Sequence, residues 1–438
     1  MSQPTPNTAL RYDSVEDVIE TSGGLENNHK NNTLILPSAK KITLLLLVTT
    51  IGILYLSSAL PEPPSTSPIA KVPAPIRQSP IAKVPAPIRQ TNESHMHSCL
   101  HDKYYSKKTV KTVFDAPFVG LLKNNMGEKK FEASGLTKVD DSYYSVCDNS
   151  WAISKFHESF SVFSDQNLQI GNPRREKEDS GYEAIFHFNS TFYVVRESIK
   201  HYHRHHAHNV DYHHLDRVEG QSSYHAIIEE LTLNDTDYVI HDQCRCEFEF
   251  EGTSKGFEGA FGIQGDDGSL YVVGLCEGNH CSEKTDLRQD AGNGKVVLMK
   301  KKIGDDIGFD GEECIWETVA VIDIPSSAFF RDYSDIDITE NGKVVITTQE
   351  DSALWIGKIY GIENGILLPE KLKFDDDIGQ VFYFPKSNSC ETIYCNIEGV
   401  VFKNDEMVVA VSDKMKSKGK QPHWCLEKDQ SIHAFVVP

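Results

Sequence analysis

Five positions carry oxygen donors at matching places in a repeated local pattern: Ser134, Glu183, Glu258, Ser334 and Glu398. Each opens a short apolar run that reaches a turn and returns as a second run closed by an acid. The segments are "EASGLTKVDDSYYSVCD", "GYEAIFHFNSTFYVVRE", "GFEGAFGIQGDDGSLYVVGLCE", "YSDIDITENGKVVITTQE" and "NIEGVVFKNDEMVVAVSD". Their closing acids are Asp148, Glu197, Glu277, Glu350 and Asp413. Runs of β-branched and aromatic residues split by NG, DG or ND read as hairpins. A strand of about five residues out and about six back returns the chain to its starting end, so opening residue and closing acid meet there. Three carboxylates gathered on one axis repel and resist ionisation. A hard divalent cation relieves that repulsion, and Ca2+ accepts carboxylates, hydroxyls, carbonyls and water. The predicted metal ligands are therefore Ser134, Glu183, Glu258, Ser334 and Glu398, with Ca2+ as cofactor.

The elements that must position these residues are strands. Further strand-like runs follow the hairpins: "WAISKF" at Trp151, "KVVLMKK" at Lys295, "ALWIGKI" at Ala353 and "SIHAFVV" at Ser431. The units recur at spacings of 49 to 76 residues with almost no helical periodicity. This predicts an all-β fold, a five-bladed β-propeller over residues 115–438. Six blades fit if the intervals after Glu183 or Glu258 hide one.

The first 114 residues have another character. Residues 1–41 are a polar, aperiodic tail expected to be disordered and cytosolic. Residues 42–60, "ITLLLLVTTIGILYLSSAL", hold no charge and follow Lys40 and Lys41. They read as a transmembrane signal-anchor, and the positive-inside bias gives a single-pass type II protein. The C-terminal domain would then be lumenal (ER or Golgi) or extracellular. Residues 61–114 read as a proline-rich stalk in which "SPIAKVPAPIRQ" occurs twice. All ten cysteines lie at or after Cys99, and the acceptors Asn92, Asn189 and Asn234 share that side, so disulfides and glycans are expected. Cys276 with Cys281 and Cys390 with Cys395 are the near pairs; "CRC" at Cys244 and Cys246 leaves a zinc site as the alternative.

The chain carries a formal charge of −20; residues 1–60 hold −1 and residues 61–114 hold +5, which leaves −24 for the propeller. Such a body repels phosphate backbones, so a nucleic-acid partner is excluded. The tract His201–His214 holds seven of the eighteen histidines and suits a transition metal or a solvated insertion.

At the ring residues the chain resembles the calcium-activated apyrases, five-bladed propeller nucleotidases of the secretory pathway. Their tunnel cation is held by serine, glutamate, glutamate, serine and glutamate in chain order. The resemblance carries those positions onto Ser134 in "ASGL", Glu183 in "YEAI", Glu258 in "FEGA", Ser334 in "YSDI" and Glu398 in "IEGV". Esterase-like phytase propellers share the "EG-hydrophobic" openings. The resemblance implies a calcium-dependent phosphohydrolase acting on a small phosphorylated substrate. In that chemistry Asp148 or Glu350 would orient water, and Arg196 would hold the leaving phosphate. A non-catalytic propeller binding a glycan, ligand or protein at its mouth is the alternative reading.

Overall fold

The computed structural model describes residues 107–438 except 125–126, 203–221, 253–254, 278–280, 282–290, 303–313 and 417–419. These fall within one compact unit, Gln90–Pro438. The tail, anchor, stalk and most of the histidine tract lie outside the described residues. Among the described residues no helix is long and apolar enough to cross a membrane.

Five antiparallel four-stranded meanders follow one another along the chain. The first blade is Ala133–Val139, Ser142–Cys147, Ser150–His157 and Leu168–Ile170. The second is Tyr182–Phe188, Thr191–Tyr202, Ser222–Leu233 and Tyr238–Cys246; the third is Phe257–Gly265, Leu270–Cys276, Lys295–Lys302 and Ile315–Asp323. The fourth is Asp335–Ile338, Lys343–Thr348, Ala353–Tyr360 and Lys373–Tyr383. The fifth takes Ile397–Asn404, Met407–Ser412 and Ser431–Val436 from the C-terminus, and its outermost strand is Lys111–Pro117 from the N-terminal side. That last pairing, Lys111 opposite Val436 through Pro117 opposite Ser431, closes the circle. The propeller thus begins at Lys111, slightly before the boundary read from the sequence.

Hydrophobic layers show that the circle has five members and not six. Val146 and Ile153 of the first blade pack on Tyr182 and Val194 of the second. Phe186 and Ile228 meet Val272 and Trp316 of the third, and Val273 and Leu298 meet Ile346 and Trp355 of the fourth. Val345 and Leu354 meet Val400 and Phe435 of the fifth, while Val409 and Ile432 return to Leu136 and Phe156 of the first. Alternating apolar side chains on both faces of every blade make these layers, as expected for sheets stacked face to face. In the long interval after Glu183 the described residues form the extended second and third strands of blade two.

Two local features shape the axis. In the turn of the second blade Asn189 and Ser190 take φ of 45° and 68°, as a tight hairpin requires. Near the axis the inner strands approach so closely that a Cβ on Gly135 would lie 2.8 Å from the Ala184 Cα, and one on Gly259 2.7 Å from the Asp335 Cα. This is why small residues follow the ring positions in "SG" and "EG".

Disulfides join Cys276 to Cys281, as the sequence suggested, and also Cys244 to Cys314 and Cys395 to Cys425. The expected Cys390–Cys395 pair does not form: Cys395 is bonded across 30 residues, and Cys390 is disulfide-bonded elsewhere. Spacing along the chain favoured the near pair, but the fold brings the 423–427 turn to Cys395 instead. Cys244 staples the outer strand of blade two to that of blade three, where Ile315 and Trp316 pair in parallel with Arg245 and Cys246. Cys246 is a buried free thiol, so "CRC" is not a paired zinc half-site.

Candidate cation site at the channel mouth

The hairpins deliver the ring residues by one backbone device. In blade one the ladder steps from Ala133–Cys147 to Gly135–Val146, leaving Ser134 as an extra residue. The same bulge leaves Glu183, Glu258 and Glu398 unpaired in blades two, three and five. In blade four Ser334 stands immediately before the strand, its N–H bonded to the Thr347 carbonyl at 3.0 Å. Bulges kink the strand and re-aim one side chain, a placement common beside functional sites. Ser134, Glu183 and Ser334 are buried, and Glu258 and Glu398 are half-buried.

The glutamates sense one another. Burial pushes Glu183 well above the usual carboxylate range, and the charges of Glu258, Asp148, Glu197 and Glu277 push it further. Glu258 is raised by burial, then by Glu277 and Glu197, with Lys255 opposing. Glu398 is raised by burial and by Asp413, Glu258 and Glu183, with Lys416 opposing. No hydrogen-bond donor among the described residues reaches the carboxylate of Glu183 or Glu258. These three side chains do not close on a common point: among the described residues, the group of three or more His, Cys, Asp or Glu ligand atoms within 4.8 Å of one another is Asp242, Cys244 and Cys314. Two of those three are bonded to each other, so that trio is no metal site.

A second tier surrounds the first. The N–H groups of Asp148, Glu197, Glu277 and Asp413 bond to the carbonyls of Glu132, Gly181, Gly256 and Asn396 at 2.8 to 3.1 Å. Each lies one residue beyond the last rung of its hairpin. Each also lies two residues beyond the partner of the residue that follows its ring position. In blade four, where Asp335 pairs with Thr347, that place belongs to Gln349, whose N–H points to Asp332 Oδ2 and Ser334 Oγ, both at 3.1 Å. Glu350, expected in this tier from its letter, is displaced by one residue. Its carboxylate is exposed and paired with Arg331 at 3.4 Å. Alternation sends consecutive side chains in different directions, so a one-residue slip removes Glu350 from the mouth.

Asp148 stands where it was expected. Burial raises it to about 8, helped by the charges of Glu132, Asp413 and Glu197. Asp413 rises to about 7 for the same first reason. Asp148 Oδ1 and Glu277 Oε2 are buried without a hydrogen-bond partner. Unpaired buried carboxylate oxygens, beside a ring of raised glutamates, fit a site that takes a cation.

Arg196 is not among them. Its Nη1 donates to Glu229 Oε1 at 3.1 Å, its Nε donates to the Ser180 carbonyl at 3.0 Å, and its guanidinium stacks 4.8 Å from the Trp151 ring. It neutralises a fully buried glutamate between blades one and two. The cations that do face the mouth acids are Lys255, 2.9 Å from Glu277, together with Lys414 and Lys416 on the loop after Asp413. Sequence reading missed them because they lie outside the hairpins, although "DKMK" was visible beside the fifth closing acid.

No protein-family model matches the chain, and no curated protein matches it. Solved structures do match. A luciferin-regenerating enzyme is 9% identical, with 74% of this chain and 95% of that chain covered and a TM-score of 0.36. Virginiamycin B lyase from Staphylococcus aureus is 10% identical, covering 75% and 100% at a TM-score of 0.31. Regucalcin from Agrobacterium tumefaciens, a calcium-binding protein, is 7% identical, covering 71% and 92% at a TM-score of 0.32. Likeness at these values carries no functional inference. The strand order and the five interblade layers make the chain a β-propeller on their own.

Proposed function

We propose that the channel mouth binds a calcium-type divalent cation and that the protein is a cation-dependent phosphohydrolase of the apyrase-like kind. The observation that carries this reading is the trio Glu183, Glu258 and Glu398, set on bulges of three inner strands and raised by burial and by one another. Crowded acids whose mutual repulsion and burial outweigh the charges of Lys255 and Lys416 are costly unless a cation completes them. Ser134 and Ser334 would add hydroxyl oxygens, and water the remaining positions.

Calcium held there would polarise a phosphoryl oxygen and offset its developing charge. The chain's own residues supply the rest. Asp148, with one unpartnered oxygen and a carboxyl pushed up to about 8 without a cation, would be drawn toward its ionised form by a neighbouring cation and so be suited to take a proton from an attacking water. Lys416 and Lys255 provide the positive charge that a phosphate needs and that Arg196, committed to Glu229, does not.

Phosphate release from nucleoside diphosphates by the full chain, with calcium and with chelator, tests the reading. Calcium-dependent release lost in E183Q/E258Q supports it. Calcium binding without release leaves a non-catalytic propeller with a glycan, ligand or protein at its mouth. Absence of calcium binding removes the phosphohydrolase reading.

We also propose that residues 42–60 anchor the protein as a type II membrane protein with the propeller in the secretory lumen or outside the cell. The bonded cysteine pairs, three of them within the described residues, suit an oxidising compartment. Asn189 and Asn234 are exposed in turns at the end of blade two away from the mouth, where glycans would leave the site open. Resistance of the protein to alkaline extraction from membranes, together with a mass shift on glycosidase treatment, checks this.

A further inference from the structure

Four blades present an acid in the second tier and blade four presents an amide, Gln349. We propose that Gln349 positions two members of the cation ring and is itself set by Lys416, forming an ammonium–amide–carboxylate relay onto Glu398. The inference rests on the cation reading above and deepens it.

The contacts run in one direction. Lys416 Nζ donates to Gln349 Oε1 at 2.8 Å. Gln349 Nε2 donates to Glu398 Oε1. The backbone N–H of Gln349 meets Ser334 Oγ at 3.1 Å, and its other acceptor, Asp332 Oδ2, also lies at 3.1 Å. An ammonium on one side and a carboxylate on the other fix which end of the amide is oxygen and which nitrogen. One residue therefore holds both Ser334 and Glu398, which sit on adjacent inner strands. Glu183 and Glu258 receive no such donor among the described residues. The ring is thus half held and half open, with Glu398 and Ser334 aimed before any ligand arrives. Partners that orient a ligand in this way commonly matter about 10- to 100-fold in metal affinity.

An acid at position 349 would do the opposite. It cannot donate to Glu398, and it would repel it. The relay therefore makes a prediction opposed in sign to simple electrostatics. Q349E and K416M each make the mouth more negative by one charge, and charge alone would tighten cation binding. Loss of the relay would weaken it.

The experiment is calorimetric titration of the full chain with calcium chloride, without substrate. Q349M, which keeps shape and charge but loses the amide, is expected to weaken calcium binding about 10-fold. Q349E should weaken it despite its added charge, and K416M should weaken it by about threefold through the loosened amide. Thermal midpoints in chelator, matched to the wild type, show that the variants fold; Lys416 is exposed, so K416M remains informative if Gln349 variants do not fold. Calcium affinity of Q349M within about twofold of the wild type, or tighter binding by Q349E or K416M, overturns the relay. Failure of the wild type to bind calcium overturns the cation reading itself and the relay with it.

Discussion

The closing seam and the channel mouth both hold carboxylates shifted from their ordinary values, and they treat them in opposite ways. At the closing seam Asp115 lies opposite His433 on the neighbouring strand. It accepts from His433 Nδ1 at 2.7 Å, Lys428 Nζ at 2.7 Å and the Tyr394 hydroxyl at 3.2 Å, and His433 Nε2 faces Ser412 Oγ at 3.1 Å. Burial pulls Asp115 upward, but the hydrogen bonds from His433 and Lys428 outweigh it and hold the group below its ordinary value. At the mouth, burial acts with like charges, and Glu183, Glu258 and Glu398 all go well up, Glu398 despite the Gln349 amide beside it, while Glu183 and Glu258 meet no donor among the described residues. A partly covered acid surrounded by donors is a structural clasp, even when its neighbours spell serine, histidine and aspartate. Ser412 and His433 are almost wholly buried, so no substrate reaches that trio. A buried acid without donors is waiting for a partner.

The two regions therefore respond to pH with opposite signs. Asp148 at about 8 and Asp413 at about 7 are raised, so in cation-free protein their contribution to stability is complete below the unfolded carboxylate pKa. It is lost progressively as pH rises above 3.8, and the loss is complete once pH has passed through the folded values of about 7 and about 8. Asp115 is lowered, so its contribution is present above 3.8 and is lost as pH falls through its folded value. His433, lowered by burial against the pull of Asp115, loses stability as pH falls below 6.5. Thermal midpoints of chelated protein should decline on both sides, the alkaline limb belonging to the mouth and the acid limb to the seam.

The sharpest way to separate the regions is E183Q/E258Q. Calorimetry should show calcium affinity reduced more than about 100-fold, because two ring ligands are lost. In chelator the alkaline limb should flatten, since the raised Glu183 and Glu258 no longer titrate and two of the charges that raise Glu398 are gone. An unchanged limb would break the comparison. R196M comes next: it strands the fully buried Glu229 and should cost about 3–5 kcal/mol in denaturant unfolding, with calcium affinity unaltered. D115N should cost about 1–3 kcal/mol by loosening the seam, again without touching calcium affinity. A change in calcium binding there would join regions that we hold to be separate. E350Q should have the least effect, leaving both unfolding midpoint and calcium affinity at wild-type values, because that carboxylate is exposed and outside the second tier.

Legibility differed residue by residue. Ser134, Glu183, Glu258 and Glu398 were readable because a bulged residue followed by glycine or alanine leaves a letter pattern, and the crowded axis enforces it. Glu350 was misread because acidity was used as the marker where register was needed; Gln349 occupies the position and carries no charge. Arg196 looked like a mouth residue from its neighbour Glu197, yet alternation turns it toward Trp151 and Glu229. Cys395 looked bound to Cys390 because nearness in sequence is the only distance a sequence offers.

By itself the sequence determined the strands, their turns, the number of hairpins and the oxygen donors that open them, because side-chain period and turn chemistry are local. Only the tertiary structure decided that Lys111–Pro117 closes the fifth blade, that Cys395 meets Cys425, and that Lys416 reaches Gln349 and through it Glu398. Those outcomes depend on which distant strands become neighbours around the ring. Local propensity cannot encode them, because each is fixed by burial and packing between blades.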